Sequence, residues 1–168
     1  MNPFDSLGIE PRYDLDLVAA AQRHRDLSRT LHPDRFVGRP ASERRLALSK
    51  SIEVNEAWRK LRDPVSRAEA LLAHHGIACG EDADAKAGPD LLMEMMEHRE
   101  ALAEARANRN AEQLARLTST MREREHDVVH ALTEAFSRDL SGAPRLLGEL
   151  RFVRRFLEQA ATVEDELL

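Results

Sequence analysis

Apolar residues recur at intervals of three and four along most of this chain. Nowhere do they alternate with period two for long enough to build a sheet. Over residues 15–31, Leu17, Ala20, His24, Leu27 and Leu31 fall close to one buried stripe of a helix. Pro33 cannot sit in a helix interior and keeps the residue before it out of helical backbone, so this helix stops short of it. Pro33, Gly38 and Pro40 make 33–40 a loop, and Ser42 opens a second helix with Ala47, Val54, Trp58 and Leu61 on its buried side. Asp63-Pro64 reads as N-cap and first helical residue of a third helix over 65–75, with Gly76 in the C-terminal cap position. Ahead of all three, Phe4 to Leu7 is a short apolar turn closed by Gly8.

Residues 76–90 hold three glycines, a proline and three aspartates, the composition of a linker. Beyond it the helical period resumes. Asp90 is the expected cap of a helix reaching about Ala107, Asn108-Arg109-Asn110 is a polar turn, and a second helix runs from Ala111 to Ser137. Ser141-Gly142-Ala143-Pro144 breaks the pattern, and Pro144 opens a last helix that continues almost to the C-terminus. Short loops between long helices imply antiparallel neighbours, hence a three-helix bundle. The expected organisation is all-α, with a domain over 1–76, a linker over 77–90 and a bundle over 91–168.

Composition agrees. Ala, Leu, Glu and Arg dominate, which favours helix, and aromatic residues are only 4%. The net charge of −5 is unevenly spread. Residues 1–76 carry 13 Lys and Arg against 11 Asp and Glu, whereas 77–168 carry 12 against 19. A mildly basic module followed by an acidic one suggests two surfaces with different partners. No dense basic stripe offers itself to nucleic acid. The single cysteine, Cys79, allows neither an intrachain disulfide nor a thiolate metal cluster and fits a reducing compartment. No signal-peptide-like segment and no run of about 18 apolar residues is present, so no membrane association is expected and the reading is a soluble, cytoplasmic protein.

The candidate chemistry centres on His32-Pro33-Asp34. Taken alone, the tripeptide either stops a helix and starts a turn or builds an interaction apex. Pro33 fixes its own φ near −65° and restricts its neighbour, so His32 and Asp34 are held in fixed orientation. A rigid apex loses little entropy when a partner docks. The surroundings favour the apex. Phe4-Asp5-Ser6-Leu7-Gly8 precedes a helix ending in Leu31, and the helix after the loop contains Asn55-Glu56-Ala57-Trp58. This order resembles the J-domain across residues 2–76. The resemblance implies that the loop and the helix before it contact an ATPase chaperone of the heat-shock-protein-70 class and stimulate its ATP hydrolysis. It assigns that role to His32, Pro33 and Asp34, with Arg23, Arg25, Arg29 and Arg35 as accompanying basic contacts. Asp26 lies among those arginines, and the positive face is thinner than in general-purpose J-domains, which suggests a specialised chaperone partner.

The second module narrows the reading. It has no Gly/Phe-rich tract and no Cys-rich zinc region. The runs Asp63-Pro64-Val65-Ser66-Arg67-Ala68-Glu69-Ala70-Leu71-Leu72, Leu91-Leu92-Met93-Glu94-Met95-Met96-Glu97-His98-Arg99-Glu100 and Leu150-Arg151-Phe152 resemble the HscB family, the J-type co-chaperones of iron–sulfur cluster biogenesis. The chain lacks the N-terminal Cys module of some eukaryotic relatives, which points to the bacterial type. The resemblance implies an L-shaped molecule without cofactor or catalytic activity of its own. Its bundle would bind a scaffold protein of the IscU type, and its J-domain would deliver that scaffold to a chaperone of the HscA type.

Met93, Glu97, Glu100 and Glu104 share one helix face, with Leu92 and Met96 beside them. Pattern alone is even-handed between a docking surface and a core edge with solvated glutamates. The resemblance assigns Leu92, Met93, Met96, Glu97, Glu100, Glu104 and Phe152 to scaffold binding. His98 and Ala103 depart from the family's usual Leu and acid at the edge of that patch. A J-protein serving another client is the alternative. A metal-dependent enzyme built on His126 and His130, spaced i, i+4, is a remote third, because no third ligand or catalytic Glu accompanies them.

Overall fold

The computed structural model describes residues 2–78 and 89–167, and among these no strand occurs. The fold is all-α, and it divides between Ile77 and Ala78 into two compact units. Cys79 and most of the expected linker lie outside the described residues.

The first unit is built from α1 (Pro3–Leu7), α2 (Leu17–Thr30), α3 (Ala41–Arg62) and α4 (Pro64–His74). Local chemistry sets the starts of α1, α2 and α4. The Asn2 side chain accepts the Phe4 N–H at 3.1 Å, and Gly8, with φ of 63°, closes α1 in the left-handed conformation that a residue without a Cβ adopts freely. Asp16 accepts the N–H groups of Val18 and Ala19 to open α2, and Asp63 accepts the Ser66 N–H at 2.8 Å to open α4. Phe4, Leu7, Val54, Leu61, Ala68, Leu71 and Leu72 form the buried centre, with α1 and α4 both packed on α3. Each such Leu or Phe taken from water stabilises the fold by roughly 1.5–3 kcal/mol.

Two positions differ from the periodic pattern. Leu17 is exposed, because it is the first residue of α2 and overhangs the start of the stripe. Trp58 is only half-buried; Ala57 takes the inner place on α3, while the Trp58 ring stacks on His24 with centroids 5.7 Å apart. The same His24 places Nε2 2.9 Å from Asn55 Oδ1, so one residue of α2 is tied twice to α3. These cross-links brace the two helices that carry the loop between them.

The second unit is a bundle of α5 (Pro89–Ala107), α6 (Ala111–Arg138) and α7 (Ala143–Leu167). Among the described residues helix α5 starts at Pro89, two residues earlier than expected, with that proline in the first turn. Asp90 is therefore not the cap but an acid inside that turn, still favourable beside the helix N-terminus. Asn110 caps α6 by accepting the Gln113 N–H at 3.0 Å. Leu102, Ala105, Leu114, Met121, Phe152, Val153, Phe156, Ala160 and Val163 fill the core. Helices α6 and α7 share the broad seam, and α5 lies against both along a narrower one.

Candidate functional site

The segment after α2 is shaped by its own side chains. His32 has extended backbone, with φ of −61° and ψ of 134°, as a following proline demands. Pro33 then starts a 3-10 turn, Pro33–Phe36, closed by the Arg35 N–H donating to His32 O at 3.0 Å. His32 Nδ1 accepts the Asp34 N–H at 3.3 Å and lies 3.5 Å from Asp34 Oδ2. The Asp34 side chain is 86% exposed and that of His32 58%. The tripeptide is therefore a braced turn that shows an acid and an imidazole to solvent.

The arginines do not form one face. Arg25 and Arg29, one turn apart, are exposed on α2; Arg25 Nη2 donates to Gln22 Oε1 at 2.6 Å and Arg29 lies 3.5 Å from Asp26. Arg23 lies on another side of the helix. Its Nε donates to the carbonyl of Leu7 at 3.1 Å, and its Nη2 lies 3.1 Å from where a Cβ on Gly8 would stand. Arg23 thus closes the C-terminal end of α1. Arg35 is exposed directly after the tripeptide.

Sequence reasoning missed the apolar flank of this loop. Val37, Leu46, Leu48 and Ile52 are all exposed. Val37 and Leu48, with Pro33 and Phe36, border an open depression of about 350 Å³ beside Asp34. The signal was present in Leu46-Ala47-Leu48: three consecutive apolar residues cannot share one buried stripe of a helix, and only Ala47 is buried.

On α5 the buried stripe is Leu91, Leu102 and Ala105, with Met95 and His98 half-buried. Leu92, Met93 and Met96 stand outside it, at 48%, 62% and 63% exposure. Glu97, Glu100 and Glu104 are exposed alongside. Six of the seven bundle residues singled out from sequence thus share one solvent-facing surface. Phe152 is not among them. It is 5% exposed, lies in the core of the bundle, and sits with its ring centroid 6.4 Å from that of Phe156. The periodicity of α7 explains this, since Phe152 and Phe156 are one turn apart on the helix side that also buries Val163. His98 faces inward too, edge-on to Phe156 at 6.0 Å, so the departure at this position falls at the core boundary and not on the exposed surface.

An ion-pair cluster links the three helices of the bundle. Arg124 on α6 donates from Nη2 to Glu94 on α5 at 2.8 Å and from Nε to Glu149 on α7 at 2.9 Å. Burial works against the Arg124 charge, but the hydrogen bonds and attraction of the two carboxylates outweigh it and raise its pKa above the ordinary value. Among the described residues no group of three or more His, Cys, Asp and Glu side chains gathers as a metal site, and His126 and His130 are both exposed. No described helix is long and apolar enough to cross a membrane.

Braced helices α2 and α3 around an exposed His-Pro-Asp turn, followed in sequence by a separate helical bundle, are the arrangement expected of a J-domain co-chaperone. Comparison with known proteins carries this further. Residues 87–161 match the family described as the HSCB C-terminal oligomerisation domain. A co-chaperone HscB homolog of Neisseria meningitidis is 32% identical over 160 residues, covering 95% of this chain and 96% of its own. One from Pasteurella multocida is 30% identical over 173 residues, covering 100% and 99%. Among solved structures, chaperone HscB from Vibrio cholerae superposes with a TM-score of 0.87 at 27% identity over the full length of both chains. Human co-chaperone HscB does so with a TM-score of 0.89 at 26% identity, over 98% of this chain and 82% of that one. The chain belongs to the HscB family of co-chaperones.

Proposed function

We propose that this protein is a non-enzymatic cytoplasmic adaptor that joins an iron–sulfur cluster scaffold protein of the IscU type to a heat-shock-protein-70-class chaperone of the HscA type. Residues 1–76 engage the chaperone, residues 91–168 bind the scaffold, and 77–90 link the two. The observation that carries the reading is the exposure of Leu92, Met93 and Met96 together on α5 beside Glu97, Glu100 and Glu104. Contiguous apolar side chains left in water cost a free monomer and serve a binding surface. Methionine adapts to the partner's shape. The glutamates speed encounter with a basic patch and fix register more than they add affinity.

At the other contact, the turn at His32, Pro33 and Asp34, flanked by Arg25, Arg29 and Arg35, docks on the chaperone and stimulates ATP hydrolysis there. The chain supplies no group to the hydrolysis itself. Its contribution is a preorganised acid whose neighbours are already fixed, so docking orders little.

The test measures both contacts with the full chain. Asp34→Ala should abolish stimulation of an HscA-type ATPase while leaving scaffold affinity intact. Leu92→Ala with Met96→Ala should do the reverse. Full stimulation by the first variant removes the loop's role, and undiminished scaffold binding by the second removes the role of α5. Co-purification with the chaperone but a different client would leave the loop's role standing and replace the scaffold.

A further inference from the structure

The exposed surface on α5 needs a helix held in one orientation, yet the apolar anchoring of its first half is sparse. Between Leu91 and Leu102 no side chain is fully buried; Met95 and His98 are half-buried. Leu92, Met93 and Met96 add nothing to the core, because they face water. Glu94 lies at i+3 from Leu91 and one residue before Met95, at the solvent edge of the inward stripe with its side chain half-exposed. It meets Arg124 at 2.8 Å, and Arg124 is held in turn by Glu149 at 2.9 Å. Arg124 is 25% exposed and Glu149 13%, so water and salt screen that pair less than an ordinary surface pair, while the Glu94 carboxylate that ties α5 to it is 50% exposed. Arg145, 4.0 Å from Glu149, adds a further cation. At the far end of α5, Arg106 pairs with Glu166 at 2.7 Å, so the helix is pinned near both ends by charge.

We propose that the Glu94–Arg124–Glu149 clasp sets the orientation of the first half of α5 and thereby presents Leu92, Met93 and Met96 for docking, which makes Arg124 a positioning residue for scaffold binding. The inference rests on reading that surface as the scaffold-docking surface. Arg124 acts on that surface through Glu94. Its guanidinium suits the task, since separate nitrogens reach two carboxylates on two helices, a geometry a single ammonium does not reproduce. Without the clasp, α5 samples orientations in which the three apolar side chains no longer form one surface. The apparent dissociation constant then rises by the inverse of the competent fraction.

The experiment uses the full chain and an IscU-type scaffold protein, with affinity by calorimetry and amide hydrogen exchange along all three bundle helices. Arg124→Met keeps the stem and removes the charge. It should weaken scaffold binding about fivefold if the competent fraction falls to about one fifth. Exchange should accelerate in the first half of α5 but not in α6 or α7, and ATPase stimulation without scaffold should not change. Glu94→Gln, a mild change at a half-exposed position that keeps the test alive should Arg124→Met fold poorly, should show the same pattern more weakly. The two substitutions combined should cost no more than Arg124→Met, because they break one link. Arg124→Lys should recover part of the loss. Unchanged affinity in Arg124→Met, or a double variant whose losses add, overturns the clasp as a positioning device. Leu92→Ala is the control. If it binds as tightly as the parent, the docking reading fails, and faster exchange confined to α5 still decides whether the clasp orients that helix.

Discussion

The guanidinium carbon of Arg67 lies 4.9 Å from the centre of the Tyr13 ring, and both residues are buried. Nη1 of the same arginine donates to the carbonyl of Leu61 at 2.7 Å. One side chain on α4 therefore holds the irregular segment before α2 and the last turn of α3. Burial lowers the Arg67 pKa while Tyr13 and Asp63 pull it back up, and an arginine starts so far above neutrality that it stays charged. Arg67→Met should leave the Leu61 carbonyl without this donor and cost about 1–3 kcal/mol, read as a lower melting temperature of the first unit. Arg67→Lys should fall between. Stimulation of the chaperone, measured well below the transition, should survive both, since the turn at His32 is not touched.

Arg23, Arg25 and Arg29 should separate into two classes. Arg25→Ala and Arg29→Ala remove exposed charge and should weaken the chaperone contact, chiefly through a slower association that high salt equally suppresses. Their melting temperatures should stay within a degree or two of the parent, as expected of surface changes. Arg23→Ala strips a donor from the Leu7 carbonyl and should destabilise by about 1 kcal/mol. Binding kinetics by surface plasmon resonance at two salt concentrations, with melting curves beside them, distinguish the classes. An Arg23 variant that melts normally but associates slowly would return it to the contact face.

Phe152 and the pair Leu92 and Met96 should behave oppositely. Phe152→Ala empties core volume between α7 and its neighbours and should cost about 3–5 kcal/mol. Leu92→Ala with Met96→Ala shortens exposed side chains and should leave stability nearly unchanged while scaffold affinity falls. Urea unfolding beside calorimetry reads both. Loss of affinity in Phe152→Leu, at undiminished stability, would show that the small exposed edge of this ring reaches the scaffold after all.

What was legible in the sequence follows from what each signal measures. Helix ends were visible because Asn110, Asp63-Pro64 and Gly76 act locally, and the structure shows each in its cap or turn. The His32-Pro33-Asp34 turn was visible for the same reason: proline restricts its neighbours wherever it stands. Burial was legible only where the apolar stripe was clean. Helix α7 is such a case: the resemblance assigns Phe152 to scaffold binding, while its own period places it in the core. In α5, Leu91, Leu92, Met93, Met95 and Met96 spread apolar residues around the helix, so period could not tell core from surface. Three-dimensional packing settles it, with Leu91 in and Leu92, Met93 and Met96 out. Nothing in the sequence announced the partners of Arg124 or Arg23, which lie on other helices.

Asp139 should titrate below the ordinary aspartate range. It sits between α6 and α7, where its carboxylate accepts the Ser141 hydroxyl at 2.6 Å and the Ser141 N–H at 3.0 Å. Both hydrogen bonds favour the ionised form, the hydroxyl foremost, and hold the pKa below the ordinary aspartate range. A carboxylate depressed in the folded state stabilises the fold fully above its unfolded pKa, and that contribution is lost as pH falls through the folded pKa. The window therefore lies entirely on the acid side, and stability at neutral pH does not vary through this group. Carbon-detected NMR titration of the side-chain carboxyl should place Asp139 below a reference peptide. Ser141→Ala should move it back toward the reference, because the hydroxyl donor is gone while the backbone donor remains. A wild-type Asp139 that titrates with the reference would mean that the turn joining α6 to α7 does not hold this carboxylate in solution.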